Sequence, residues 1–277
     1  MMEKYDLHCH STASDGALSP KKLVLRAREQ GVTVLALTDH DTIDGLDEAQ
    51  QTATELGIRF ISGIELSTTW ENKCFHVVGL DIDPCHPALL DGIRTQQGIR
   101  AERARKIAWK LEKKRIPGAY EAVKAAAGTG MITRSHFADF LVTNHFVDSQ
   151  QHAFDKYLGR GKPAYVATVW ADLQQAIDWI KTSGGIAVLA HPLRYNLSGN
   201  WMTRALTAFK NAGGQGMEVV TGRSSVDDIQ RSHFLAQKFQ LFASQGSDFH
   251  TPKDPWVELG RLAELPYGSR PVWDLFD

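Results

Sequence analysis

The chain has 277 residues, of which 43% are hydrophobic, and this suits one large domain or one domain carrying an insertion. A formal net charge of −1 excludes a uniformly basic surface, although residues 94–124 gather ten Lys/Arg against three Glu. No apolar run reaches the roughly 20 residues of a membrane span. Three cysteines (Cys9, Cys74, Cys85) without CxxC spacing, and no signal peptide, point to a reducing cytoplasm.

Residues 5–15, YDLHCHSTASD, open the chain with two histidines two positions apart. In a strand, positions i and i+2 share a face, so His8 and His10 project together while Cys9 points away as a packed thiol. Asp15 follows in the turn beyond. Alone, an HxH pair is a weak signal. Ser19-Pro20 reads as the cap and first turn of a helix carrying Leu23, Val24 and Ala27 inward, with Gly31 as its stop. Residues 32–37 (VTVLAL) form an apolar run expected of a strand buried on both faces, ending in Thr38-Asp39-His40-Asp41. A helix over Leu46–Leu56 stops at Gly57, and a strand over residues 58–61 leads into Gly63-Ile64-Glu65. This alternation predicts an α/β architecture with parallel strands.

Residues 67–70 and 74–80 flank Glu71-Asn72-Lys73 as a hairpin, with His76 on its second arm. From residue 87 to 114 the pattern is helical and basic, ending at Pro117-Gly118, and shorter helices are expected over residues 121–127, 135–143 and 152–158. No strand-like run interrupts this region, so residues 95–165 read as a helical insertion between two barrel segments, 1–94 and 166–277. The α/β rhythm then resumes. Helices over residues 172–182, 202–212 and 226–239 alternate with strands over 186–190, 217–220 and 241–244, the last running into Gly246-Ser247-Asp248-Phe249-His250.

His8, His10, His40, Glu65, His191, Asp248 and His250 all lie just beyond the carboxyl ends of expected strands, the rim where α/β folds assemble their sites. Each has a plain structural reading: His40 as a helix cap, Glu65 as a surface residue, His191 as a strand end. The second i, i+2 pair, Asp248 and His250, makes coincidence a poor explanation. His86, His145 and His233 lack that placement and read as structural. Imidazole and carboxylate donors without thiolate suit Zn, Mn or Fe. Nine candidates, His8, His10, Asp15, His40, Glu65, His76, His191, Asp248 and His250, exceed one ion's needs, and two or three ions bridged by carboxylates would use them. Clustered divalent ions suit phosphate ester hydrolysis.

The motifs DLHCHSTASDG, LTDHDTIDG, GIELS, FHVVGLDID, LAHPLRY and GSDFH stand in the order found in the PHP (polymerase and histidinol phosphatase) superfamily, which the chain resembles over nearly its whole length. Within it the chain looks like the bacterial nucleoside 3′,5′-bisphosphate phosphatases, a subgroup that includes 5′-to-3′ exoribonucleases. Asp15, where histidinol phosphatases usually carry His, and the helical insertion favour this branch. The resemblance implies a distorted (β/α)7 barrel with a trinuclear site. His8, His10, Glu65 and Asp248 would hold one ion, Asp15, His40 and His250 a second, and His76 and His191 a third shared with Glu65. Manganese is the expected metal, with zinc or iron as alternatives.

The insertion carries MITRSHFA, which resembles the family's Arg-x-His-Phe-Ala stretch facing the metals, with Ser135 where relatives commonly carry Pro. Arg134, Ser135 and His136 are therefore candidate phosphate contacts, as is Arg194. The plain readings are a helix start and a surface arginine.

The expected reaction is loss of the 3′-phosphate of a nucleoside 3′,5′-bisphosphate by attack of a metal-bound hydroxide, with His8, His10, Glu65, Asp248 and His250 at its centre. The alternative substrate is a short 5′-phosphorylated RNA. An amidohydrolase would normally show a strand-end Lys and a single closing Asp, and a non-catalytic PHP module would tend to lose ligands. The expected partner is a nucleotide or short RNA, with no membrane and no obligate protein partner.

Overall fold

The computed structural model describes residues 3–276. Strand β1 (Tyr5–Asp6) is followed by α1 (Pro20–Glu29), where the Ser19 side chain accepts from Lys22 N and Pro20 sits in the first turn. Next come β2 (Val34–Leu37), α2 (Leu46–Leu56), β3 (Arg59–Trp70) and β4 (Lys73–Leu80). The α2 helix ends on Gly57 at φ 65°, a left-handed position that glycine occupies without strain. Four helices follow: α3 (Pro87–Glu112), α4 (Ala119–Ala127), α5 (Arg134–Thr143) and α6 (Gln150–Ala153), the last running into a π turn, Phe154–Leu158. The chain then runs through β5 (Ala171–Asp172), α7 (Leu173–Thr182), β6 (Ile186–Leu189), α8 (Gly199–Asn211), β7 (Gly216–Thr221), α9 (Val226–Lys238) and β8 (Phe242–Gly246).

The sheet order is β1-β2-β3-β4-β6-β7-β8, with β5 added beside β3. Pairings are parallel except where β4 runs antiparallel to both β3 and β6. Leu7 N donates to Gln245 O at 3.1 Å, and Cys9 bridges Phe249, so the first and last strands meet and nearly close a barrel. The inner core comes from alternating strand positions (Leu7, Val34, Ala36, Ile61, Val78, Leu80, Val188), to which the C-terminal turn adds Val272. The opposite strand faces pack against the surrounding helices in a second, larger cluster.

Two expectations change. Residues 59–70 form one continuous strand, so Glu65 lies mid-strand, opposite Val78, rather than just beyond a strand end. Gly63 does not break it, because a side chain there would meet Leu37 O at 2.9 Å; glycine permits close approach of β2. The α8 helix starts earlier than expected, because Ser198 caps it.

The long α3 helix joins two environments. Leu89 and Ile93 pack on the barrel, whereas Ile107 and Leu111 belong to a separate core built with Val123, Phe137, Leu141 and Leu158 of the segments that follow. The boundary drawn at residue 95 falls inside this helix, where packing changes partner. Buried Gln96 and Arg100 occupy the junction. Arg100 Nε donates to Asp41 Oδ2 at 2.6 Å and its Nη2 to Ser67 Oγ at 2.9 Å. Gln96 adds a 3.1 Å bond to Asp41 Oδ1 and accepts from Ala171 N. The α3 helix is thereby pinned to the loop that carries His40 and to β3.

Candidate metal centre

His8 and His10 follow β1 on a segment fixed by the other closing strand: Asp248 N donates to His8 O at 2.7 Å, and His10 N to Phe249 O at 2.9 Å. Their Nε2 atoms lie 3.1 Å apart, and each lies 3.4 Å from Glu65 Oε2. Asp248 Oδ1 lies 3.5 Å from His8 and 3.2 Å from His10. The His8, His10 and Glu65 donors thus stand at edges of 3.1–3.4 Å, a spacing that one divalent ion with bonds of about 2.1 Å can span, and Asp248 approaches the two rings as a further donor.

Glu65 is the hub. Its Oε1 meets His76 Nδ1 at 2.9 Å and His191 Nε2 at 3.1 Å, and its Oε2 lies 2.8 Å from His40 Nδ1. Asp15 Oδ1 gathers His250 at 3.4 Å, His40 at 3.9 Å and His10 at 4.0 Å. All nine candidates therefore converge. Donor atoms of His10, Asp15, His40 and His250, of His8, His10 and Glu65, and of His40, Glu65 and His76 each lie within 4.8 Å of one another.

Glu65 Oε2, Asp248 Oδ1, His40 Nδ1 and His191 Nδ1 are buried without a hydrogen-bond partner. Orphaned polar atoms cost about 1–3 kcal/mol each, and all four belong to candidate ligands, with Glu65 Oε2, Asp248 Oδ1 and His40 Nδ1 being the atoms that face neighbouring donors. The 2.8 Å approach of His40 to Glu65 is not aligned as a hydrogen bond. A cation would satisfy these atoms, and the donor set fits divalent ions.

The charges are strongly coupled. Burial raises the Asp15, Glu65 and Asp248 carboxyls, but facing imidazoles, and Arg194 for Asp248, outweigh it and hold all three well below the carboxylate range. Burial presses His40 down to about 4 despite Glu65 and Asp15. Burial also disfavours His76 and His250 as cations, yet the Glu65 charge and the Asp15 charge respectively lift each to about 10. Protonated imidazoles thus balance carboxylates where cations would. The backbone is also strained, with His191 at φ 28° and Asp248 at φ 55°, conformations costing about 1–3 kcal/mol each.

Several supporting residues escaped the sequence reading. Glu218, 2% exposed, accepts from His8 Nδ1 at 2.7 Å and from His191 N at 2.5 Å, orienting two candidate ligands at once. A carboxylate inside the apolar strand GMEVV was its available signal. Asp39 accepts from Ser11 N, Ser11 Oγ and Ser14 Oγ at 2.8, 2.6 and 2.6 Å and fixes the loop before Asp15.

Above the cluster is a cavity of about 290 Å³, lined by Arg100, Arg103, Arg134, Ser135, Phe154, Trp170 and Arg194 as well as the acid and imidazole groups. Arg134 and Ser135 face it as expected, and Ser135 Oγ donates to Asp15 Oδ2 at 3.1 Å. Arg194 donates to Asp248. His136 does not line the cavity: its Nδ1 accepts from Thr133 N at 3.1 Å, closing the capping box of α5. Of the basic α3 helix, Arg100 and Arg103 reach the cavity, while Arg94 and Lys106 pair with exposed neighbours along the helix. His86, His145 and His233 lie elsewhere. No lysine lines the cavity among the described residues.

The PHP domain model matches residues 6–211. The chain belongs to the PHP domain family. It is 49% identical to the 5′-3′ exoribonuclease of Haemophilus influenzae, covering the whole of both chains. It is 42% identical to the 3′,5′-nucleoside bisphosphate phosphatase of Chromobacterium violaceum over 98% of this chain and 96% of that one. A solved structure from Chromobacterium violaceum, described as an amidohydrolase with sulfate bound and no metal, superposes with a TM-score of 0.94 at 42% identity, covering 98% of this chain and 95% of that one. The chain is accordingly a hydrolytic enzyme of the PHP phosphoesterase family. No helix among the described residues is long and apolar enough to cross a membrane.

Proposed function

We propose that this enzyme removes the 3′-phosphate from nucleoside 3′,5′-bisphosphates, giving a nucleoside 5′-monophosphate and phosphate. The observation that carries this reading is one cavity whose lining joins metal-type donors to four arginines, Arg100, Arg103, Arg134 and Arg194. A substrate with two separated phosphates matches both. The bisphosphate phosphatase name of a full-length relative supports the same substrate.

Two or three divalent ions, manganese first and zinc or iron as alternatives, are the proposed cofactors. His8, His10, Glu65 and Asp248 would hold one, Asp15, His40 and His250 a second, and Glu65 with His76 and His191 a third. The chemistry supplied by such ions when bound is activation of water and neutralisation of charge on phosphate and leaving oxygen. The chain's own groups supply position. Glu218 fixes the His8 ring, so that its Nε2 faces the cluster. Arg194, engaged with Asp248, is placed to fork onto the scissile phosphate once that carboxylate is otherwise occupied. Ser135, at the start of α5, holds Asp15 through its hydroxyl.

A second reading, 5′-to-3′ removal of nucleotides from short 5′-phosphorylated RNA, rests on the exoribonuclease relatives. It shares the scissile bond. The 290 Å³ cavity, small among ligand pockets, favours a mononucleotide. Residues 95–165 are proposed as the insertion that covers the site, and the cytoplasm as its location. The test is phosphate release from adenosine bisphosphates, histidinol phosphate and short 5′-phosphorylated RNAs with manganese supplied. Preference for the 3′,5′-bisphosphate supports the first reading, and a preference for oligonucleotides replaces it with the second.

A further inference from the structure

His191 and Arg194 line two cavities at once. One is the 290 Å³ cavity at the donor cluster. The other is a cleft of about 450 Å³ between the turn Pro192–Tyr195, the end of β7 and α9. Removal of a 3′-phosphate from a mononucleotide makes no use of this second space.

The wall of the cleft is polar and well fixed. Thr221 N donates to Ser224 Oγ at 3.0 Å and Ser224 N to Thr221 O at 3.1 Å, closing the turn that carries Arg223. Gly222 seats that turn against the segment bearing Asp248, since a side chain there would meet Ser247 O at 2.4 Å. Arg223 donates to Asp254 through Nη2, which leaves Nε and Nη1 of the same planar fork for another acceptor. The carboxylates of the wall already have internal donors. Glu218 accepts from His8 and His191, and Asp228 accepts from Ser225 N at 3.0 Å and Ser225 Oγ at 2.7 Å. Arg223, Asn196 and Ser224 therefore remain as the groups that can meet a phosphodiester strand.

We propose that this cleft holds the part of a short single-stranded RNA that lies beyond the scissile phosphate, with Arg223 meeting the next phosphodiester. The proposal deepens the phosphoesterase reading above and rests on it. Water adds to the phosphorus between the first two nucleotides, and the 3′-oxygen of the first departs with a proton. The shortened chain keeps the phosphate as its new 5′ end. The first nucleotide occupies the 290 Å³ cavity as a mononucleotide does. The remainder needs a path past the scissile phosphate, and the cleft shares His191 and Arg194 with that cavity. A cation flanked by hydroxyl and amide donors is how single-strand grooves track a backbone without reading its sequence.

The test compares wild type, Arg223→Ala and Arg223→Lys in the full chain with manganese supplied. The substrates are adenosine 3′,5′-bisphosphate, which ends at the scissile phosphate, and 5′-phosphorylated triadenylate, which continues past it. Loss of one charged contact predicts that the ratio of kcat/KM for the trinucleotide over the bisphosphate falls about tenfold in Arg223→Ala, chiefly through KM, with Arg223→Lys intermediate. An unchanged ratio overturns the proposal, as does an equal fall on both substrates, which would mark a purely structural pair with Asp254. Wild type that dephosphorylates the bisphosphate and leaves the trinucleotide intact keeps the hydrolytic reading and overturns the cleft. A binding arm uses chelated protein and calorimetry. Wild type should bind the trinucleotide more tightly than 5′-AMP, and Arg223→Ala should lose that difference, with a salt dependence of log affinity shallower by about 0.7. If wild type hydrolyses neither substrate, the hydrolytic reading fails and the binding arm alone decides. Loss of the difference in the variant then supports the cleft; a difference retained there, or absent from wild type, overturns it.

Discussion

Replacing Glu218 with Gln keeps the side chain's size and removes its charge. Two donors now share this carboxylate, His8 Nδ1 at 2.7 Å and His191 N at 2.5 Å, at a position 2% exposed. An amide offers one oxygen and one NH₂, so one donor must face another donor. That leaves a buried unsatisfied group worth about 1–3 kcal/mol. It also weakens the fixed ring orientation that a metal-bound histidine depends on, an effect usually about tenfold to a hundredfold in metal affinity. The two estimates agree, since about 1.4 kcal/mol corresponds to a factor of ten. The assay is phosphate release against manganese concentration after chelation. The half-saturating manganese concentration should rise about tenfold to a hundredfold, with most of the activity recovered at saturation. An unchanged half-saturation point would refute the assigned role of Glu218.

Other outcomes follow from the same geometry. Arg100→Met should destabilise the protein by about 3–5 kcal/mol, because it leaves Asp41 buried and unpaired; an unaltered melting temperature would show that α3 is not pinned there. Asp248→Asn and Glu65→Gln should abolish phosphate release while the chains remain folded by circular dichroism; retained turnover would remove these carboxylates from the centre. In the chelated protein, His76 and His250 titrate near 10 rather than near 6.5. Folded protein therefore holds more protons than unfolded, and the stability they contribute is present below about pH 6.5 and lost as pH rises to 10. Chelated protein should lose melting temperature over that interval, and metal binding at pH 8 should release protons, detectable as a buffer-dependent calorimetric enthalpy; binding without proton release would contradict these charge states.

Much of the centre was legible because short-range rules place it. The i, i+2 pairs His8/His10 and Asp248/His250 lie just beyond the ends of β1 and β8, brought together by the Cys9–Phe249 bridge, and β-strand ends gather on one rim. Glu65 was found as a ligand candidate but misplaced beyond a strand end, since the strand runs on through Gly63, which lets β2 approach β3. What sequence could not supply was long-range. Glu218 reaches His8 across 210 residues and Arg100 reaches Asp41 across 59, contacts that only the closed barrel and the α3 strut create. His136 illustrates the reverse. Its place in the MITRSHFA stretch suggested a substrate contact, but local capping chemistry claims its Nδ1.

The central claim is that the clustered histidines and carboxylates hold divalent ions for removing a nucleotide 3′-phosphate. The most direct measurement is phosphate release from adenosine 3′,5′-bisphosphate by exhaustively chelated protein, before and after manganese is restored, with the nucleotide product identified. The expected result is negligible release without metal, recovery with manganese, and adenosine 5′-monophosphate as product. Full activity in the chelated protein, or adenosine 3′-monophosphate as product, would contradict the account.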